Sequence, residues 1–123
     1  MYKYDLLELK KKAENLVRII TAPHSILLHG NLGAGKTAFA QFFLKPILVD
    51  NNQTIASPTF TVINTYETIK GSVWHADLYR LKSERELLEL GLIEFMQVGI
   101  ALVEWSELIE PYIQHLPKTV IEL

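Results

Sequence analysis

The chain has no cysteine, which removes disulfides, thiolate metal sites and thiol nucleophiles from its possible chemistry. It also lacks any apolar run near the roughly 18 residues that a membrane span requires. Its first residues, Met1-Tyr2-Lys3-Tyr4-Asp5, contain no apolar signal core. Together these absences lead us to expect a cytoplasmic protein with no membrane partner. A basic excess is missing as well: the net charge is −2, whereas a surface that tracks a phosphate backbone shows as a basic domain or stripe. Arginine is scarce, with only Arg18, Arg80 and Arg85 present. Kinases close several positive groups over the transferred phosphoryl, so this scarcity disfavours a stand-alone kinase. The Asn/Thr-Lys-x-Asp pattern that reads guanine is absent too, which weakly favours adenine. Repeats, linkers and low-complexity stretches are lacking, and 123 residues suffice for one domain over 1–123 that buries roughly two-thirds of its unfolded surface.

What is present centres on Gly30-Asn31-Leu32-Gly33-Ala34-Gly35-Lys36-Thr37, which fits the phosphate-loop pattern of Gly, four residues, then Gly-Lys-Thr. The apolar run Ser25-Ile26-Leu27-Leu28-His29 precedes it, and the helix-compatible stretch Ala38 to Leu44 follows, which is the context the pattern requires. Three glycines let the backbone turn its N–H groups inward at an anion, and the helix that follows adds its positive end. The cradle is therefore expected to use Asn31, Gly33, Ala34, Gly35 and Ala38. Lys36 would reach the β- and γ-phosphates, where it would also serve catalysis, and the Thr37 hydroxyl would hold Mg²⁺.

The remaining elements read in order. Asp5 is an N-cap with Glu8 in a capping-box position, and Leu6, Leu9, Ala13, Leu16/Val17 and Ile20 fall on one helical face that Pro23 ends. Lys10, Lys11 and Lys12 point to different sides of that helix, as on a solvated face. Pro46 stops the helix after the loop, and Asp50-Asn51-Asn52 is a turn. Pro46 to Asp50 mimics a Walker-B strand, but it runs straight into that turn. From Ser57 the period becomes two, with Phe60, Val62, Asn64 and Tyr66 on one face, and a connection through Lys70-Gly71 leads to Ser72–Asp77 in an antiparallel hairpin. Ser83 to Glu86 is a capping box for a short helix ended by Gly91, a second short helix spans Ile93 to Gln97, and Gly99 to Val103 is a buried strand. Glu107 to His115 is a helical turn or loop, and Thr119 to Leu123 begins a last strand. The fold class expected is α/β: a three-layer P-loop domain whose mixed sheet has parallel central strands and an antiparallel hairpin.

A phosphate loop needs acidic partners, because Mg²⁺ takes one or two protein oxygens together with phosphates and water. Asp77 and Glu104 end apolar strands, where open α/β sheets place their ligands. One acid would belong to the Mg²⁺ shell and the other would orient the attacking water; residue types alone leave open which does which. Ser57-Pro58-Thr59-Phe60-Thr61 stands where a segment sensing the γ-phosphate is expected, with the Thr59 hydroxyl among those able to reach phosphate or metal. Its alternative is a proline-bounded start to a strand. His75 and Asp77 are two ligand-type residues at i, i+2, too few for zinc. Trp105 lies either against the nucleotide, against a partner, or in the core.

Charge is uneven along the chain. Residues 1–60 carry seven Lys/Arg against four Asp/Glu, a balance of +3, and residues 61–123 carry five against ten, a balance of −5. Most of that acid lies from Glu84 to Glu110, either as a solvated helix face or as a docking surface for a basic partner.

The phosphate loop, Ser57-Pro58-Thr59-Phe60-Thr61, His75-Ala76-Asp77-Leu78-Tyr79-Arg80-Leu81, Leu90-Gly91 and Val103-Glu104-Trp105 resemble, in order and spacing, the TsaE (YjeE) family of bacterial ATPases. That family serves the machinery that makes threonylcarbamoyladenosine in tRNA, and the resemblance covers about residues 5 to 110. It implies ATP and Mg²⁺ as cofactors, and hydrolysis that supports a TsaB–TsaD complex, while the acidic balance of the chain argues that tRNA is engaged only indirectly. It further implies Thr37 and Glu104 near Mg²⁺, Asp77 essential to hydrolysis and Trp105 at or near the active site. The chain departs from the family at Asn31, where an acid is common, at Ser106, where Pro usually follows Trp, and at Gln41-Phe42, where Arg-Gly is often found. Family members also usually continue through further strands, so short or missing C-terminal strands are expected here.

Overall fold

A computed structural model describes residues 5–30 and 34–123, with the side chain of residue 34 outside that description. Asn31 and Gly33, both assigned to the phosphate cradle, therefore lie outside the described residues. Helix α1 (Leu6–Ile19) opens as its caps dictate: the Asp5 carboxylate accepts the Glu8 N–H at 2.8 Å. Leu9, Ala13, Leu16 and Val17 are buried along one face. Leu6 does not join them and is 64% exposed. The helix stops at Ile19, with Ile20 already extended, so Pro23 follows the helix end rather than making it.

Strand β1 (His24–His29) leads to α2 (Ala34–Leu44), and Lys45–Ile47 form a 3-10 turn at Pro46. Leu48 makes only a single bridge with Thr68, and Asp50 accepts the Asn52 N–H in an exposed turn, so the Walker-B mimic is no strand of the sheet. The hairpin of β2 (Ile63–Thr68) and β3 (Gly71–Asp77) is antiparallel, as expected. It starts later than the period-two pattern suggested. Val62 adopts φ +67°, its N–H donates to the Pro58 carbonyl at 2.7 Å, and its own carbonyl accepts from the Asp77 N–H at 2.8 Å. That left-handed kink breaks the alternation, and Phe60, expected on the strand face, is 81% exposed.

Helix α3 (Glu84–Glu89) is capped by the Ser83 hydroxyl accepting from the Glu86 N–H. Gly91, at φ +75°, turns the chain into α4 (Leu92–Met96), a left-handed step that suits a residue without Cβ. Strand β4 (Ile100–Glu104) is buried throughout; two short 3-10 turns, Ser106–Leu108 and Glu110–Tyr112, then lead to β5 (Lys118–Glu122).

The sheet order is β2-β3-β4-β1-β5, parallel except for the β2–β3 pair. α1 and α2 cover one face through a core that includes Leu16, Val17, Phe39 and Phe43 against Ile26, Leu28, Val73, Ile100 and Leu102. On the other face Leu87, Leu92, Met96, Ile109 and Ile113 pack against Leu27, Ala76, Ala101 and Val103. The expected three layers and mixed sheet are thus present. Among the described residues, no helix is long and apolar enough to cross a membrane.

Candidate active site

Register brings the acids together. β3 and β4 run parallel with Asp77 opposite Glu104, and on the far side of β4 Leu28 of β1 is also opposite Glu104, one residue before the turn at His29-Gly30. Side chains alternate across a strand, so His75, Asp77 and Glu104 share the face of Val73, Ile100 and Leu102, beneath α2. Gly30 begins the loop at φ +139°, and a Cβ there would stand 3.0 Å from the Leu123 carbonyl oxygen. A side chain at this position would push against the end of β5, so the close approach itself calls for glycine.

Lys36 is buried in the first turns of α2, beside buried Gly35 and half-buried Thr37 and Ala38. Its Nζ lies 4.1 Å from the Trp105 ring centroid, a cation–π distance. Trp105 follows β4 in the left-handed region, at φ +55°, which turns its ring back over the strand ends, where Tyr79 meets it at 4.9 Å. Of the three places open to Trp105, the fold therefore puts it at the lysine rather than in the core.

Asp77 and Glu104 are both buried. Burial pushes the Asp77 carboxyl above its ordinary value; the Tyr79 N–H, donating at 3.0 Å, opposes this, the Glu104 charge adds to it, and Lys36 and His75 draw it back. The Leu78 N–H donates to the Glu104 carbonyl at 3.1 Å, which ties the chain leaving β3 to the end of β4. Glu104 Oε2 lies 2.6 Å from His75 Nε2, and both side chains are shut away from water. Among the described residues, no group of three or more His, Cys, Asp or Glu is placed to hold a metal ion.

The Ser57–Thr61 segment reaches this region through Val62, whose carbonyl takes the Asp77 N–H. Within it, the Ser57 and Thr59 hydroxyls are 2.8 Å apart and the Thr61 hydroxyl donates to Asn64 at 2.6 Å. No described contact joins Thr59 to Lys36, Asp77 or Glu104. Arg80 stacks at 4.7 Å on the exposed Phe60 ring.

Sequence reasoning missed two residues here. The sequence presents His75 as a weak zinc candidate and as part of a segment that carries the family resemblance, without a role of its own; its place two residues before Asp77 on the same strand face is the available signal. Tyr79 stands in a segment that carries the family resemblance, but its contact with Trp105 depends on the turn after β3 and no spacing announces it.

A model of the family described as threonylcarbamoyl adenosine biosynthesis protein TsaE matches residues 4–123. The chain belongs to the TsaE family. Among similar family members, the tRNA threonylcarbamoyladenosine biosynthesis protein TsaE of Rickettsia felis is 43% identical over 84% of this chain and 60% of its own length. That of Rickettsia bellii is 40% identical over 94% of this chain and 78% of its own, and that of Bacillus subtilis is 36% identical over 92% and 68%. The crystal structure of Bacillus subtilis YdiB superposes with a TM-score of 0.62 at 29% identity, covering 98% of this chain and 73% of that one. The TsaE-family chain thus spans about three-fifths to four-fifths of these relatives.

Proposed function

We propose that this TsaE-family chain hydrolyses Mg-ATP as the energy-coupling component of the threonylcarbamoyladenosine machinery, acting on a TsaB–TsaD complex and touching tRNA only indirectly. The observation that carries this reading is the pairing of Asp77 with Glu104 at the ends of adjacent parallel strands, beneath the helix that bears Lys36. Burial first, and then the Glu104 charge beside it, hold the Asp77 carboxyl above its ordinary value, a cost that a divalent cation at the two acids relieves. The oxygen-only character of Asp77, Glu104 and the Thr37 hydroxyl suits a hard ion such as Mg²⁺.

In this reading Gly35, Ala38 and the rest of the cradle bind the phosphates at the start of α2. Lys36 leaves the Trp105 face to meet the β- and γ-phosphates, and the ring remains as a wall that excludes water. Thr37 and Glu104 would hold the metal, which when bound neutralises charge on the phosphate oxygens. Asp77 orients the attacking water, and burial, by raising its carboxyl, makes it a better proton acceptor than an exposed aspartate. Thr59, beside Ser57, senses the γ-phosphate. Support for completion by a partner comes from the rim, where Phe60, Tyr79 and Arg80 are exposed next to the acids.

The deciding experiment measures phosphate release from ATP and GTP, with and without TsaB and TsaD, together with thermal stability. A nucleotide at a hundred times its dissociation constant should stabilise the fold by about 2.7 kcal/mol. Release that rises with the partners supports the proposal. Stabilisation without release, even with partners, would make the protein a binding regulator, and phosphoryl transfer to a small acceptor without partners would make it a kinase.

A further inference from the structure

His75 stands in the middle of β3 with no exposed surface, on a face whose neighbouring positions are Val73, Ile100 and Leu102. An imidazole among aliphatic side chains is costly unless its polar atoms are used. One of them is: Nε2 lies 2.6 Å from Glu104 Oε2. The other, Nδ1, is buried without a partner among the described residues. A carboxylate oxygen only accepts, so Nε2 carries the hydrogen of this contact. The bond therefore runs from ring to carboxylate.

This has a consequence for Glu104. A glutamate at a strand end has three side-chain torsions and two equivalent oxygens, so left alone it presents its charge in several ways. His75 removes that freedom, and it takes Oε2, leaving Oε1 as the one oxygen of Glu104 without a described partner. We propose that His75 is a positioning residue that locks Glu104 in a single orientation, so that the acid serves its ligand through Oε1 alone. The inference rests on the ATPase reading for what Oε1 serves, but not for the lock itself. Partners of this kind behind a metal-side ligand are worth about 10- to 100-fold in activity or metal affinity.

Three variants separate positioning from packing. His75→Gln keeps an N–H close to the position of Nε2, His75→Asn places its amide nearer Nδ1, and His75→Leu keeps bulk alone. With TsaB and TsaD present, we expect the Asn and Leu variants to lower kcat and raise the half-saturating Mg²⁺ concentration by about 10- to 100-fold with KM for ATP little changed, and Gln to recover most of the loss. Equal activity in the Gln and Asn variants overturns the proposal, and this comparison stands even if the Leu variant does not fold. The ring ¹⁵N shifts of His75 provide a readout that needs no hydrolysis. Protonation at Nε2 that is lost or redistributed in Glu104→Ala supports the lock, whereas a ring that carries no hydrogen on Nε2 in the unaltered protein refutes it. Should the unaltered protein release no phosphate, the ATPase reading fails while the ring shifts still decide the positioning.

Discussion

The two faces of the sheet use the same strands for different ends. On the face under α1 and α2, β3 and β4 present His75, Asp77 and Glu104 beyond an aliphatic floor. On the opposite face, the alternate residues Ala76, Ala101 and Val103 pack in an apolar cluster with Leu92 and Met96. The strands are common to both, so the difference lies in the pleat: a one-residue slip in either strand would bury the acids under α3 and α4 and empty the site. The polar face is thus held in place by the packing of the apolar one.

Removing the chemistry while leaving the packing should break the comparison most sharply. Lys36→Ala and Asp77→Ala are each expected to cost at least about 100-fold in phosphate release, the scale of a lost electrostatic or acid–base group, with far smaller changes in melting temperature; Glu104→Ala should cost as much in release but also lower the melting temperature, because it leaves His75 Nε2 buried without a partner. Retained hydrolysis in both acid variants would show that the catalytic carboxylates lie elsewhere. The converse change is Leu92→Ala on the apolar face, where a fully buried side chain should cost about 2–5 kcal/mol by chemical denaturation. Nucleotide affinity of the folded fraction should survive it; if it fell as steeply as stability, the faces would not be separable.

A smaller effect is expected at Ser83→Ala, which removes the cap of α3 and should cost about 1 kcal/mol with no effect on hydrolysis. The finest distinction concerns Asp77→Asn in the absence of nucleotide. Because the folded-state value of Asp77 is raised, the group favours the folded state while protonated, and this contribution fades as pH climbs from the ordinary 3.8 through the raised value. At neutral pH the variant should therefore melt higher than the unaltered protein, and the gap should close toward pH 3.8. A gap that instead widened in acid would mean that Asp77 is held below its ordinary value.

Local signals carried most of the architecture. The caps at Asp5 and Ser83 and the turn at Gly91 each depend on a few neighbouring residues, and each appears where the spacing put it. The strand from Ile100 to Glu104 was legible because four apolar residues before an acid leave little else to form. Where reading failed, distant contacts had intervened. The alternation through Phe60 and Val62 was real as a pattern, yet the Asp77 N–H captures the Val62 carbonyl and kinks the chain before the strand begins. Leu6 kept the period of its helix face yet stays exposed in the first turn.

The same division runs through the site. The amino-acid sequence by itself determined the phosphate-loop pattern, the acid at each strand end and the family, because these reside in residue types at short, fixed spacings. Only the tertiary structure decided that Asp77 faces Glu104, that Trp105 covers Lys36, and that His75, 29 residues from Glu104 in the chain, donates to it. Those pairings follow from strand register and from the crossover that sets β4 between β3 and β1, and they hold because burying the apolar sides of these strands leaves a single register available.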